Sequence, residues 1–165
     1  MNSYSLERKQ VLPVSPTEAF EFFQDPSNLA PLAPPWLRLR LVEPFPKPLR
    51  KGALVEYRIR IFRLRMHWVV LTTEFDHPNR IQDEQVRGPF KSWKATREFR
   101  RVKDGTEMAE TARYSMRFSI LGVLLHAIFV GPRLHRVFDY RTERIQAAFG
   151  PPPSGGKTEQ TKAQR

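Results

Sequence analysis

Val14-Ser15-Pro16-Thr17-Glu18-Ala19-Phe20-Glu21-Phe22-Phe23, followed by Asp25-Pro26-Ser27-Asn28-Leu29, marks where a first strand turns into a helix. Ser15 is placed to cap that helix through its hydroxyl. Pro16 suits a first helical position that needs no amide donor, and Glu18, three residues after the cap, completes a capping box. Ala19, Phe20 and Phe23 then share one apolar face. Upstream, Leu6 to Pro13 reads as the strand. Downstream, Asn28 to Ala33 reads as a second short helical turn stopped by Pro34-Pro35.

Beyond those prolines the chain becomes extended. Leu37, Leu39 and Leu41 alternate with Arg38 and Arg40. Val55, Tyr57, Ile59 and Ile61 alternate with Glu56, Arg58 and Arg60, the period-two signature of half-buried strands. Met66 to Asp76 is apolar on both alternating sets and predicts a long strand, while Arg80 to Arg87 and Lys91 to Lys103 flank the Gly88-Pro89 break. Asp104-Gly105 reads as a hairpin turn, after which Met108, Glu110, Ala112, Tyr114, Met116 and Phe118 point one way. From about Pro132 to Phe149 the period becomes helical, with Leu134, Val137, Phe138, Arg141, Ile145 and Phe149 on one stripe. This order predicts an α+β fold: a curved antiparallel sheet wrapped around a long C-terminal helix, with one or two short helices after the first strand. Such a wrap is expected to leave a cavity.

The 165 residues suffice for one domain, placed at residues 1–150, and the Pro/Gly-rich polar stretch 151–165 is expected to be a disordered tail. The absence of cysteine excludes a disulfide framework, thiol catalysis and thiolate metal sites. The first ten residues carry no signal-peptide core, and the longest apolar run, Ile120 to Val130, is broken by His126 and falls short of the roughly 20 residues a span requires. The expected location is cytoplasmic, with peripheral contact at a membrane as a variant. Lys and Arg outnumber Asp and Glu 28 to 17, a net charge of +11 that brings anionic partners into consideration. Arg38, Arg40, Arg58 and Arg60 occupy outward strand positions, yet no nucleic-acid module is present and no specific nucleic-acid partner is expected. The segment Phe118 to Val130, bracketed by Arg117 and Arg133, is suited either to cover a pocket mouth or to meet an anionic membrane.

Taken together, Val14-Ser15-Pro16-Thr17-Glu18, Asp25-Pro26-Ser27-Asn28-Leu29, Pro34-Pro35-Trp36, Gly88-Pro89-Phe90 with Trp93, and Val137-Phe138-Asp139-Tyr140-Arg141 resemble the START-like (SRPBCC) superfamily. More narrowly, the pattern is similar to the bacterial ligand-binding proteins grouped with polyketide cyclases, dehydrases and coenzyme Q-binding proteins. That resemblance, covering Leu6 to Phe149, implies a helix-grip fold around a hydrophobic pocket. Relatives often carry histidines shortly after the tryptophan matching Trp93, where this chain has Lys94, Ala95 and Arg97. A role resting on imidazoles there does not carry over.

Glu110 and Tyr114 are the candidate catalytic residues, because a carboxyl on an otherwise apolar strand face has its charged form disfavoured and can exchange protons. The alternative for Glu110 is a structural pairing with an inward arginine such as Arg97 or Arg141. Tyr57, Ile59, Trp68, Val70, Met116 and Phe138 are the expected apolar lining, joined by Glu110 and Tyr114. Asp83 and Gln85 share a face with Ile81; they contact a ligand if that face looks inward and are solvated if it does not, since one residue of register decides. Trp36 and Trp93 read as packing anchors or lining. His67, His77, His126 and His135 have no spacing that brings two to one metal, so neither a metal nor a cofactor is expected. The leading functional reading is a noncatalytic binder of a hydrophobic small molecule such as a lipid, quinone or polyketide-like compound. The alternatives are a cyclase or dehydratase acting on a polyketide-like substrate, and a lipid carrier that docks on membranes through its basic surface.

Overall fold

A computed structural model describes residues 3–61, 63–116 and 126–151. Strand β1 (Ser3–Leu12) leads into helix α1 (Pro16–Phe23), α2 (Pro26–Leu29) and two 3-10 turns, Ala30–Leu32 and Pro35–Leu37. Strands β2 (Arg40–Leu41), β3 (Leu54–Ile61), β4 (Leu64–Asp76), β5 (Arg80–Arg87), β6 (Ser92–Val102) and β7 (Gly105–Ser115) follow. A π turn, His126–Val130, then leads into the long helix α3 (Gly131–Phe149). The seven strands form one antiparallel sheet in the order β1-β7-β6-β5-β4-β3-β2, so the first strand pairs with the last. Register shifts at Val69/Val70 and Thr72/Glu74 bend β4, as bulges do, and help the sheet curve toward α3.

The capping box forms as read. Ser15 Oγ accepts from the Glu18 amide at 3.2 Å, and the Glu18 carboxylate accepts from the Ser15 amide at 2.9 Å. The Asp25 side chain caps α2 by accepting from the Ser27 amide at 2.9 Å. Phe20 and Phe23 of α1 are fully buried against Phe99, Met108, Ile81 and Ile145. Each such ring contributes roughly 1.5–3 kcal/mol relative to exposure, which fixes α1 across one end of the sheet.

One strand expectation fails. Alternation over Leu37, Leu39 and Leu41 predicts a strand, but Pro35–Leu37 is a 3-10 turn that Arg38 ends in the left-handed region at φ 45°. Only Arg40–Leu41 pairs, with Arg58 and Tyr57 of β3. The prolines set the local turn, and the leucine alternation had too little chain left to overrule it. The expected tail falls almost entirely outside the described residues, as do residues 117–125 of the segment leading to α3.

Candidate functional site

The inner face of the sheet and the facing stripe of α3 are organised in three layers, to which β5, β6 and β7 contribute in the same order. On α3 the stripe runs Leu134 and Phe138, then Arg141, then Ile145 and Phe149. On β7 it runs Tyr114 and Ala112, then Glu110, then Met108 and Thr106; on β6, Trp93 and Ala95, then Arg97, then Phe99. On β5 it runs Gln85, Asp83, Ile81. Period two on the strands and the three-to-four spacing on the helix bring like layers together. The result is an aromatic layer, a charged belt and a packed hydrophobic layer under α1.

The belt is a continuous chain of ion pairs from Asp83 to Arg141. Arg97 donates from Nη1 to Asp83 at 2.8 Å and from Nε to Glu110 Oε1 at 3.1 Å. Arg141 Nε donates to the other Glu110 oxygen at 2.7 Å. Thr72 Oγ1 donates to Asp83 at 2.9 Å. Two cations thus balance two anions. Burial alone would push the Glu110 carboxyl up, but the Arg141 and Arg97 guanidinium groups outweigh it and hold it below its ordinary value of 4.5. Burial likewise opposes the charge on Arg97, and Asp83 and Glu110 overcome it, so its pKa is raised. Tyr57 lies beside the belt, and burial pushes its phenol up to about 12.

The aromatic layer is built from ring contacts. Phe90 stacks on Trp93 at 4.8 Å, and Trp68 meets Trp93 edge-on at 5.4 Å. Tyr114 lies 5.6 Å from Trp93 and stacks on Tyr4 at 5.6 Å. Burial pushes the Tyr114 phenol up to about 12, with Tyr4 adding to the rise. Gln85 Nε2 donates to the Phe90 carbonyl at 2.9 Å, which ties the β5–β6 turn to the inner face.

Three side chains on this inner surface hold buried polar atoms without a hydrogen-bond partner: Arg141 Nη2, Trp68 Nε1 and both amide atoms of Gln10. Buried polar atoms are ordinarily satisfied, so each N–H is a place for an acceptor to arrive and Gln10 Oε1 a place for a donor. Arg141 matters most, because it is one helical turn from Phe138 and stands where the belt meets the aromatic layer.

All ten sequence-derived ligand candidates lie along this inner face. Tyr57, Ile59 and Val70 pack together on the β3–β4 side, while Trp68, Tyr114, Met116 and Phe138 join the aromatic cluster. Asp83 is buried and Gln85 half-buried, both on the inward parity that the sequence left open. Glu110 pairs with both arginines rather than with one. Trp36 stands apart, 48% exposed.

Sequence reasoning passed over Arg8, Gln10 and Thr72, and gave Arg97 only a partner's role. Strand parity with Leu6 and Leu12, or with Ala95 and Phe99, was the available signal. Arg8 clamps β1 to α3, donating to Asp139 Oδ1 from Nε at 3.0 Å and from Nη2 at 2.9 Å. Its Nη2 also lies 3.1 Å from His135 Nδ1, and burial together with Arg8 lowers the pKa of that imidazole.

A hollow lies elsewhere. A groove of about 260 Å³ runs outside the grip between Phe22, Leu32 and the last turns of α3 at Arg144, touching none of the ten candidates. It is not the cavity expected between sheet and helix. Among the described residues, no group of three His, Cys, Asp or Glu side chains can hold a metal ion, and no helix is long and apolar enough to cross a membrane.

Residues 3–150 match the family model described as polyketide cyclase / dehydrase and lipid transport. No curated protein matches the chain in sequence. Among solved structures, the chain is similar to protein CV1439 from Chromobacterium violaceum, with TM-score 0.68, 15% identity, and 89% of this chain and 97% of that one covered. It is similar to the major latex-like protein 151 of Panax ginseng, with TM-score 0.63, 15% identity and coverage of 90% and 99%. It also matches half of the di-domain ARO/CYC protein StfQ from the steffimycin biosynthetic pathway, with TM-score 0.65, 13% identity and coverage of 89% and 50%. At these identities the likeness establishes the helix-grip fold.

Proposed function

The chain belongs to the polyketide cyclase / dehydrase and lipid transport family, and from that premise we propose that it binds an apolar, ring-bearing small molecule carrying a neutral carbonyl. The ligand lies against the aromatic layer with its oxygen toward Arg141. The observation that carries this reading is the buried, unpartnered Nη2 of Arg141 beside Phe138. The belt is already charge-balanced, so a carboxylate would bring a third anion into it. A carbonyl accepts the same hydrogen bond without that cost. Quinones and polyketide-like ketones fit this description, and a fatty acid fits it less well.

A cyclase or dehydratase reading asks Glu110 and Tyr114 to move protons near neutral pH. Both Glu110 oxygens accept from guanidinium groups, and its carboxyl is held low, so it is neither a ready acid nor a strong base. A phenol pushed up to about 12 donates hydrogen bonds rather than protons. In the binding reading, Glu110 positions Arg141.

Calorimetric titration with 2-acetylnaphthalene, 2-ethylnaphthalene and 2-naphthoate tests this directly. The ketone binds one to one and at least about tenfold more tightly than the hydrocarbon, as a hydrogen bond from a charged donor implies. The carboxylate binds more weakly than the ketone. Equal affinity for ketone and hydrocarbon, or no binding of either, overturns the reading.

A further inference from the structure

Antiparallel pairing brings alternate strand ends to one edge of the sheet. At that edge stand the β3–β4 hairpin from Ile61 to Leu64, the β5–β6 turn from Arg87 to Ser92, the end of β7 at Ser115 and the start of β1 at Ser3. Helix α3 begins there too, because Val130 and Leu134 pack with Tyr4, Phe90 and Trp93. Helix α1 covers the opposite end, over Phe99, Met108 and Ile145.

Charge is divided between these ends. Among the described residues, 57–61, 63–68, 85–93, 113–116 and 126–138, which form the first end and its approaches, contain nine Lys and Arg and no Asp or Glu. At its inner border Lys94 is paired with Glu84 and His67 with Glu56. Arg63, Arg65, Arg87 and Arg113 are exposed there. Glu18, Glu21, Asp25, Asp76, Asp104 and Glu107 belong to α1, the α1–α2 junction and the opposite strand ends.

Apolar exposure follows the same division. Of the six large hydrophobic side chains exposed among the described residues, four lie at the basic end: Leu64 at 68%, Val86 at 61%, Ile128 at 54% and Phe129 at 45%. Exposed apolar groups set among cations, with no carboxylate between them, have the composition of a surface that meets lipid headgroups and the first carbons beneath them. We propose that this end docks the protein on an anionic lipid bilayer, the arginines meeting headgroup phosphates and carboxylates while Leu64, Val86 and Ile128 enter the interface.

Two other occupants fit less well. A second copy would set one acid-free basic end against another, and like charges repel. A nucleic acid would use the cations but gains nothing from aliphatic side chains, because bases stack on rings and guanidinium planes. Docking does not depend on what the aromatic layer holds.

The test is co-sedimentation of the full chain with phosphatidylcholine vesicles, with and without about 30% phosphatidylserine. Runs at roughly 0.05 M and 0.5 M salt span the change in Debye length that screens surface charge. The parent sediments with the anionic vesicles at low salt and is released at high salt. Arg63→Glu with Arg65→Glu lowers the vesicle partition coefficient at least tenfold, and Leu64→Ser with Ile128→Ser lowers it about fivefold. Arg101→Glu with Lys103→Glu makes the same change in net charge near the opposite end and lowers it less than twofold. All the substituted side chains are exposed, and matching far-ultraviolet dichroism confirms that each variant is folded. Absence of sedimentation, or equal loss in the two charge-reversed variants, overturns the proposal. So does a result in which Leu64→Ser with Ile128→Ser has no effect while a single-stranded oligonucleotide displaces the protein from vesicles, for that surface would be a general polyanion site.

Discussion

The two ends of the interior are both built on apolar clusters and are packed differently. Under α1, Phe20, Phe23, Leu12, Ile81, Met108 and Ile145 are all fully buried, and the unpartnered amide of Gln10 lies beside them on β1, opposite Met108. Beyond the charged belt, Trp68, Met116, Leu134 and Val137 are only partly buried, and Trp68 keeps an unpartnered indole N–H. The first end is closed by fully buried rings and aliphatic side chains, whereas the second keeps partly buried rings and the unpartnered N–H donors of Trp68 and Arg141. A close-packed interior resists truncation, while a less complete one gains by accepting a guest.

Truncation at the packed end should produce the largest effect. Phe23→Ala is expected to cost about 3–5 kcal/mol in urea unfolding, because fully buried rings leave cavities the surroundings fill poorly. Its folded fraction keeps the parent's affinity for 2-acetylnaphthalene to within a few fold. A comparable loss of affinity would dissolve the distinction between the ends.

The belt that divides them comes next. Glu110→Gln leaves Arg97 and Arg141 without their shared carboxylate and is expected to cost about 3 kcal/mol at neutral pH. Because the folded pKa of Glu110 lies below 4.5, its contribution is present above that value and is lost as pH falls from there through the lower folded pKa. The parent's stability should therefore drop more steeply than the variant's below about pH 4.5, as read from urea midpoints.

A pair of glycines sharpens the comparison at smaller magnitude. Gly105 has φ 137°, and a side chain there would collide with the backbone of Leu12 and Pro13, so Gly105→Ala is expected to cost roughly 2–3 kcal/mol. At Gly88 the obstacles are the side chains of Gln85 and Trp68. Gly88→Ala is expected to cost under about 1 kcal/mol and to shift the tryptophan emission instead, since side chains yield where a backbone does not. The smallest effect on stability is expected from Trp68→Phe, within about 1 kcal/mol, with ketone affinity falling several fold as the indole donor is lost.

Much of this arrangement was legible in the chain. Ser15, Pro16 and Glu18 announced α1 through local hydrogen-bond chemistry, and strand alternation around Tyr57 and Glu110, with the helical stripe through Phe138, identified the inner face. Local pattern could not establish which strand lies beside which, so the Asp83–Arg97–Glu110–Arg141 chain, spanning three strands and a helix, emerged only with the sheet order. The parity of Asp83 and Gln85 stayed open for the same reason. The leucines at 37, 39 and 41 misled because alternation is also compatible with a proline-set turn.

The account stands on a ligand carbonyl meeting Arg141. Infrared spectroscopy of carbonyl-labelled 2-acetylnaphthalene bound to the protein reads that contact without intermediaries. The carbonyl stretch should move to lower frequency than in an apolar solvent, as a charge-assisted hydrogen bond weakens the bond, and should return toward the apolar value in Arg141→Met. A bound ketone whose band is that of the apolar solvent, or one unchanged by Arg141→Met, would contradict the account.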